Sequence, residues 1–317
     1  SPSTTNTSSS SSSSLIFGKS RVGILFSGGI DSAILAALTD QILPENESID
    51  LINVAFGKPP VAHVKTPTNP FNVPDRKTGF ATFEELIRLS PKRQWNFVAV
   101  NVMQQELEQY QPWLKQLIHP LVTVMDATIG AALWFASRGR GVLYQPCETT
   151  SDTLYEKKSD TYQCTSKILL LGNGADELCA GYSRHRTIYK NFGWERLNQE
   201  LEKDLKRIWK RNLGRDDRII SSNHRECRHP FLDEKVIRFL VQTPLNVICD
   251  MQQPKGQGEK KILRAVGEKL GLMNASTLGK RAIQFGTRVA KFYPNSGTQT
   301  ATHIQSRGLY GKEQIKK

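Results

Sequence analysis

The stretch RVGILFSGGIDS, Arg21 to Ser32, decides the fold. Its first half, Arg21 to Phe26, is a short unbroken apolar run, the pattern of a strand buried on both faces. Ser27, Gly28 and Gly29 supply a turn, and an apolar helix is expected from Asp31 to about Gln41. Working outward, Ile49 to Phe56, Trp95 to Val102 (WNFVAVNV) and Lys167 to Leu171 (KILLL) repeat the buried-strand pattern, and Asp126 to Arg138 reads as a second apolar helix. Short apolar strands alternating with helices predict an α/β fold: a parallel sheet with helices on both faces. From about Asn191 onward strands give way to helical periodicity, so a helical C-terminal portion is expected. Residues 57 to 80 are Pro-rich and polar and read as a long surface insertion.

The ends differ from this middle. Ser8 to Ser14 is an unbroken serine run, so residues 1 to 14 are expected to form a disordered tail or linker. Residues 293 to 317 lack periodicity and form a second, basic polar tail, leaving 15 to 292 as one domain. The 317 residues carry 43 Lys+Arg and 30 Asp+Glu, a net charge of +13. Of that excess, +10 lies from residue 251 onward, where 13 basic residues meet 3 acidic ones. No run approaches the roughly 18 apolar residues of a membrane span. The five cysteines, Cys147, Cys164, Cys179, Cys227 and Cys249, contain no CxxC pair, which argues against a zinc site or disulfide framework. A cytoplasmic location follows as the expectation.

Three segments carry chemistry. In Ser27 to Ser32 the glycines let the backbone turn tightly and bare its N–H groups, and a helix N-terminus adds positive potential, a cradle for a pyrophosphate-sized anion. Asp31 would repel that anion unless it held a divalent cation there, which implies Mg2+. The second segment, Leu171 to Leu178 (LGNGADEL), again follows a strand. Carboxyl ends of neighbouring parallel strands line one crevice, so Asp31 and Asp176 are expected to face that crevice and to share one or two metal ions on a triphosphate. The plainer reading of Asp176 and Glu177 is an acidic pair favoured at a helix N-terminus. The third segment is Glu259 to Arg264 (EKKILR), where Ile262, Leu263, Val266 and Leu270 would form an apolar helical stripe. Lys260 and Arg264, four apart, would share another face and offer cations to a transferring phosphoryl group. A solvated basic face is the ordinary alternative. The loop before it, residues 254 to 258, reads as mobile and basic.

With these segments in order, residues 19 to 292 resemble the synthetase domain of the asparagine synthetase family. That family belongs to the PP-loop ATP pyrophosphatases, within the adenine nucleotide alpha hydrolase-like fold. Its motif SGGxDS corresponds to Ser27 to Ser32, its GEGxDE loop to Gly172 to Glu177, its K-x-x-L-R segment to Lys260 to Arg264, and its PFLD segment to Pro230 to Asp233. Residues 91 to 102, 174 to 186 and 280 to 291 place the likeness in one branch of the family. The resemblance implies ATP with adenine near Leu25, Val54, Phe56 and Gly172. Its phosphates would lie on Ser27, Gly28, Gly29 and Ser32, with Asn173 and Gly174 alongside, and Mg2+ would be held by Asp31 and Asp176. Lys260, Arg264 and Asp176 are the implied catalytic residues. A small carboxylate would attack the α-phosphorus to give an acyl-adenylate and pyrophosphate, and ammonia would then displace AMP to form an amide, asparagine by default.

Three departures qualify this. Residue 1 is Ser and the first cysteine is Cys147, so the glutaminase domain with its N-terminal cysteine is expected upstream or on a separate protein, unless ammonia is taken free. Asn173 stands where the second loop has Glu, and an amide is no general base. Gly130 stands where asparagine-forming members place a substrate-contacting Arg. These departures make a nucleotide-binding, non-catalytic interaction protein the alternative, and the basic charge a PP-loop tRNA-modifying enzyme the third.

Overall fold

The computed structural model describes residues 20–59, 69–147 and 153–293. The first expected tail, all but Tyr293 of the second, and residues 60–68 of the expected insertion lie outside the described residues. One seven-stranded sheet runs β5-β4-β3-β2-β1-β6-β7. β1 (Val22–Leu25) is paired in parallel with β2 (Ile49–Gly57) on one side and β6 (Ile168–Leu170) on the other. β3 (Trp95–Met103) extends the parallel set beyond β2, and β7 (Glu226–Arg228) extends it beyond β6. The chain therefore grows outward from β1 in one direction and later returns to the opposite side, placing a topological switch point between β1 and β6, where ligands of open α/β sheets bind.

All nine residues of β2 are buried, which is why, Asp50 and Asn53 apart, it reads as an apolar run without in-out alternation. Its side chains feed two cores. Ile49 and Leu51 pack with Ile24, Phe26, Phe83 and Phe97 on one face. Ile52, Val54 and Phe56 pack with Val98, Val100 and Phe135 on the other. α1 (Ile30–Ile42) follows β1 and buries Ile30, Ala33, Ile34 and Leu35. α4 (Val124–Arg138) starts where Thr123 accepts from the Asp126 N–H and stops at Gly139, whose φ of 62° ends it.

The sheet departs from an all-parallel one. β4 (Arg140–Pro146) and β5 (Tyr155–Gln163) form an antiparallel hairpin on the β3 edge. β5, YEKKSDTYQ, is mostly exposed and charged, as suits an edge strand that must not recruit others, and for the same reason it carries no apolar signal. β7, only three residues long, lies in the portion expected to be helical. The expected insertion at 57–80 also needs correction: α2 (Pro74–Leu89) starts within it, with Pro74 in its first turn and Gly79, Phe83 and Leu86 buried.

The remaining C-terminal elements are helical. α5 (Ala175–Leu178) and α6 (Ser183–Ile208) lead into a π-helical turn, Trp209–Leu213, then α7 (Gly214–Ser221). After α8 (Glu234–Gln242) and α9 (Leu245–Ile248) come α10 (Lys261–Lys269), α11 (Met273–Thr277) and α12 (Ile283–Gly286). Among the described residues, no helix is long and apolar enough to cross a membrane.

Candidate active site

The loop after β1 is shaped by α2. Gly28 has φ +78°, and a Cβ there would lie 2.4 Å from the Thr78 carbonyl oxygen, so only glycine fits. Thr78 Oγ1 donates to the Ser27 carbonyl and Thr82 Oγ1 to the Gly28 carbonyl, each at 2.8 Å. α2 thus pins the turn from behind. Gly29 precedes α1 without any side-chain cap, leaving first-turn N–H groups for an anion. Ser27 Oγ accepts from the Gly29 N–H at 3.3 Å, and Ser32 Oγ donates to the Gly29 carbonyl at 3.0 Å.

The loop after β6 presses against the first. A Cβ at Gly172 would lie 2.9 Å from the Asp31 Cβ. Gly174, at φ +96°, turns the chain over Leu232, the leucine of the 230–233 segment. The two aspartates meet at Lys260, whose Nζ lies 2.6 Å from Asp31 Oδ2 and 2.7 Å from Asp176 Oδ1. Lys280 pairs with the other Asp176 oxygen. Gly181 makes room for this approach: a Cβ there would fall 2.0 Å from Asp176 Oδ1 and 2.4 Å from Lys260 Cε.

Lys260 is 3% exposed. Burial alone would lower its pKa, but the Asp176 and Asp31 carboxylates outweigh that and hold the ammonium well above the usual lysine range. Burial likewise pushes the Asp176 carboxyl up, yet Lys260 and Lys280 together keep it well below the usual carboxylate range. Lys260 and Asp176 therefore both stay charged at neutral pH. Among the described residues Asp31 Oδ1 is buried without a hydrogen-bond partner, whereas both Asp176 oxygens face a lysine ammonium. No group of three or more His, Cys, Asp or Glu is arranged to hold a metal among the described residues. The free Asp31 oxygen, with Asp176 once a lysine gives way, nevertheless fits Mg2+, which takes one or two carboxylates and completes its shell with phosphates and water.

Three connected cavities open at this point. One of about 70 Å³ is bordered by Ser27, Gly29, Asp31, Lys260, Arg264 and Lys280, a pyrophosphate-like end. One of about 160 Å³ lies over the strand ends between Leu25, Val54, Leu133, Gly172 and Ile283. The largest, about 460 Å³, runs from Ser27, Asp31 and Asp176 to Met125, Ile129, Arg211 and Arg215. In its wall Arg215 is held by Asp126 and Asp216, both at 2.8 Å, and Asn173 Nδ2 donates to Asp216 Oδ2 at 2.8 Å. Burial pushes the Asp216 carboxyl up despite Arg215 and the Asn173 bond.

Most sequence-derived residues converge here, with five adjustments. Phe56 does not border the 160 Å³ cavity with Leu25, Val54 and Gly172, but lies between the rings of Phe135 and Phe292 at 5.8 and 6.3 Å. Lys260 does not share a helix face with Arg264: it precedes α10 in the left-handed region at φ 57°, which is what lets it reach both aspartates. Arg264 borders the small cavity, but its donors go to the carbonyls of Glu259, Ser276 and Leu278. In the anticipated apolar stripe, Leu263 is buried while Val266 is exposed. The loop expected to be mobile is tied down, because Arg186 bonds the carbonyls of Met251, Gln253 and Pro254 and pairs with Glu259 at 2.8 Å.

Gly130 looks into the core. A Cβ there would meet Ile118 and Ile219 at 2.8 Å, and Met125, Ile129 and Leu133 present α4 to the cavity instead. Residues missed in the sequence include Thr78 and Thr82 behind the first loop and Lys280 on Asp176. The basic pair Lys280–Arg281 was the only signal for the last. Asp75 was also missed; it borders both smaller cavities.

The site can be set beside known proteins. The family model for asparagine synthase matches residues 189–295. The chain is 43% identical over 320 residues to asparagine synthetase domain-containing protein 1 of Gallus gallus, covering 91% of this chain and 48% of that protein. It is 42% identical over 308 residues to the Homo sapiens protein of that name, covering 86% and 46%. With the glutamine-hydrolyzing asparagine synthetase of Gallus gallus the identity is 25% over 271 residues, covering 85% and 40%. The chain belongs to the asparagine synthetase family, whose synthase domain uses ATP. It spans about half the length of the curated relatives it matches.

Proposed function

We propose that the chain is the synthetase part of an ATP-dependent, AMP- and pyrophosphate-forming amide ligase acting on a small carboxylate, with asparagine formation as the default reaction. The observation that carries this reading is the meeting of Asp31 and Asp176 on Lys260 at the switch point, where both glycine loops open onto one cavity. The nucleoside would lie over Leu25, Val54 and Gly172, and the phosphates on the Ser27–Ser32 turn. Asp31 and Asp176 would hold Mg2+, which supplies charge neutralisation for the triphosphate. Lys260 is the mobile cation of the set: once its carboxylates take another partner, its ammonium is free to offset charge on the α-phosphoryl group. Lys280 keeps Asp176 oriented, and Arg264 fixes the turn at 276–278 that leads to Lys280. The acceptor would enter the large cavity beside Asn173, and ammonia would come from a glutaminase domain upstream or on a separate protein.

Asn173 favours a second reading, a nucleotide-binding relative without turnover, because its amide is engaged with Asp216 and supplies no base. ATP–pyrophosphate exchange with Mg2+ and a panel of carboxylates starting with aspartate decides between them. The ligase reading expects acid-stimulated exchange, lost in Lys260→Ala while ATP still binds, and loss of Mg2+-dependent nucleotide binding in Asp31→Ala. Saturable ATP binding without exchange for any acid would establish the second reading.

A further inference from the structure

We infer that Arg211 binds an anionic group of the acceptor, remote from the carboxylate that is activated, and so determines which acids the site admits. The inference rests on the largest cavity being the acceptor site. Arg211 borders that cavity but neither of the two smaller ones, where the proposed function puts the phosphates and the nucleoside, so its ligand is not a part of ATP lodged in either.

Its backbone presents it there for a physical reason. Arg207, Arg211 and Arg215 are four residues apart and all border the cavity. In an α-helix of about 3.6 residues per turn, four-residue steps drift around the axis. The π-helical turn Trp209–Leu213 takes more residues per turn, which cancels the drift between α6 and α7. Asn212, in the same turn, donates to Glu177 Oε1 at 3.2 Å and ties it to the loop that carries Asp176.

Among the cations bordering this cavity, Arg211 is the half-buried one without a carboxylate among the described residues; Lys255, likewise unpaired, is exposed. Arg215 is matched by Asp126 and Asp216, while Arg207 and Arg184 share Asp204. Arg211 is half-buried and makes no hydrogen bond or ion pair among the described residues. A guanidinium offers a planar fork suited to carboxylate or phosphate. From α4, the large cavity takes the apolar side chains of Met125, Ile129 and Leu133. An acceptor with a carboxylate at one end, a short apolar spacer and an anion at the other matches these features.

The test is direct binding, with and without a non-hydrolysable ATP analogue, of succinate, phosphoglycolate and butyrate to the wild type, Arg211→Gln and Arg211→Lys. The expected result is that succinate or phosphoglycolate binds the wild type at least tenfold tighter than butyrate. Whichever of the two is favoured names the anion. Arg211→Gln should lose that preference and Arg211→Lys keep part of it, with the affinity for the ATP analogue within twofold and the melting temperature unchanged. Equal discrimination by wild type and Arg211→Gln, or no preference in the wild type, overturns the inference. Failure to bind the ATP analogue at all would instead refute the ligase reading, while the acid comparison still judges Arg211.

Discussion

Replacing Lys260 with Met should make the stability of this protein depend on Mg2+. In the wild type the buried ammonium lies 2.6 Å from Asp31 and 2.7 Å from Asp176, while of these two carboxylates Lys280 pairs with Asp176 alone. Met keeps much of the side-chain volume but leaves Asp31 without a cation and Asp176 with half its compensation. Removing one partner of a buried ion pair costs about 3–5 kcal/mol, chiefly because the other charge stays buried. At about 2 °C per kcal/mol for a protein of this size, the melting temperature should fall by about 6–10 °C. Millimolar MgCl2 without nucleotide should restore much of that loss, since the freed carboxylates suit a hard divalent cation. The wild type, whose ammonium occupies the same oxygens, should barely respond. Differential scanning calorimetry with and without MgCl2 reads both effects. A variant melting within about a degree of wild type, or one indifferent to Mg2+, would refute the placement of Lys260 between the aspartates.

Two further outcomes follow from the loops. Gly28→Ala forces a Cβ to 2.4 Å from the Thr78 carbonyl at φ +78°, so it should cost about 1–3 kcal/mol in urea unfolding and abolish ATP binding by equilibrium dialysis. Asp75 is held up at about 7 by burial, only partly offset by Arg281. The folded protein therefore keeps a proton that the unfolded chain has released, and stability should fall as pH rises from about 4 to 7, then level off. That gap of about 3 pH units bounds the loss at about 4 kcal/mol; urea titrations from pH 5 to 8 should show the slope in wild type and its absence in Asp75→Asn.

The sequence revealed the central strands because β1, β2 and β3 are largely buried on both faces and hence mostly apolar, with Asp50, Asn53, Asn96 and Asn101 the polar exceptions. It revealed the Ser27–Ser32 and Gly172–Glu177 turns because their glycines are demanded by close contact and positive φ. β5 stayed hidden because an exposed edge needs charge in place of apolar residues. α2 stayed hidden because it begins with Pro74-Asp75-Arg76-Lys77, polar residues of which Asp75 and Arg76 are nonetheless buried. Lys260 was found for its residue type, but its geometry was not: the left-handed residue before α10 that swings it between two aspartates leaves no local pattern. Lys280 meets Asp176 from 104 positions away, a distance over which spacing rules carry no information. The pairing that leaves Arg211 without a carboxylate likewise depends on three separate segments.

The central claim is carboxylate adenylation, and isotope transfer tests it most directly. The protein would be incubated with ATP, Mg2+, ammonia and an acid carrying labelled carboxylate oxygen, and the released nucleotide analysed by mass spectrometry. Attack of the carboxylate on the α-phosphorus leaves one labelled oxygen on AMP when ammonia displaces it, so labelled AMP with equimolar pyrophosphate is the predicted result. Unlabelled AMP, or label in inorganic phosphate with ADP as the nucleotide product, would contradict it.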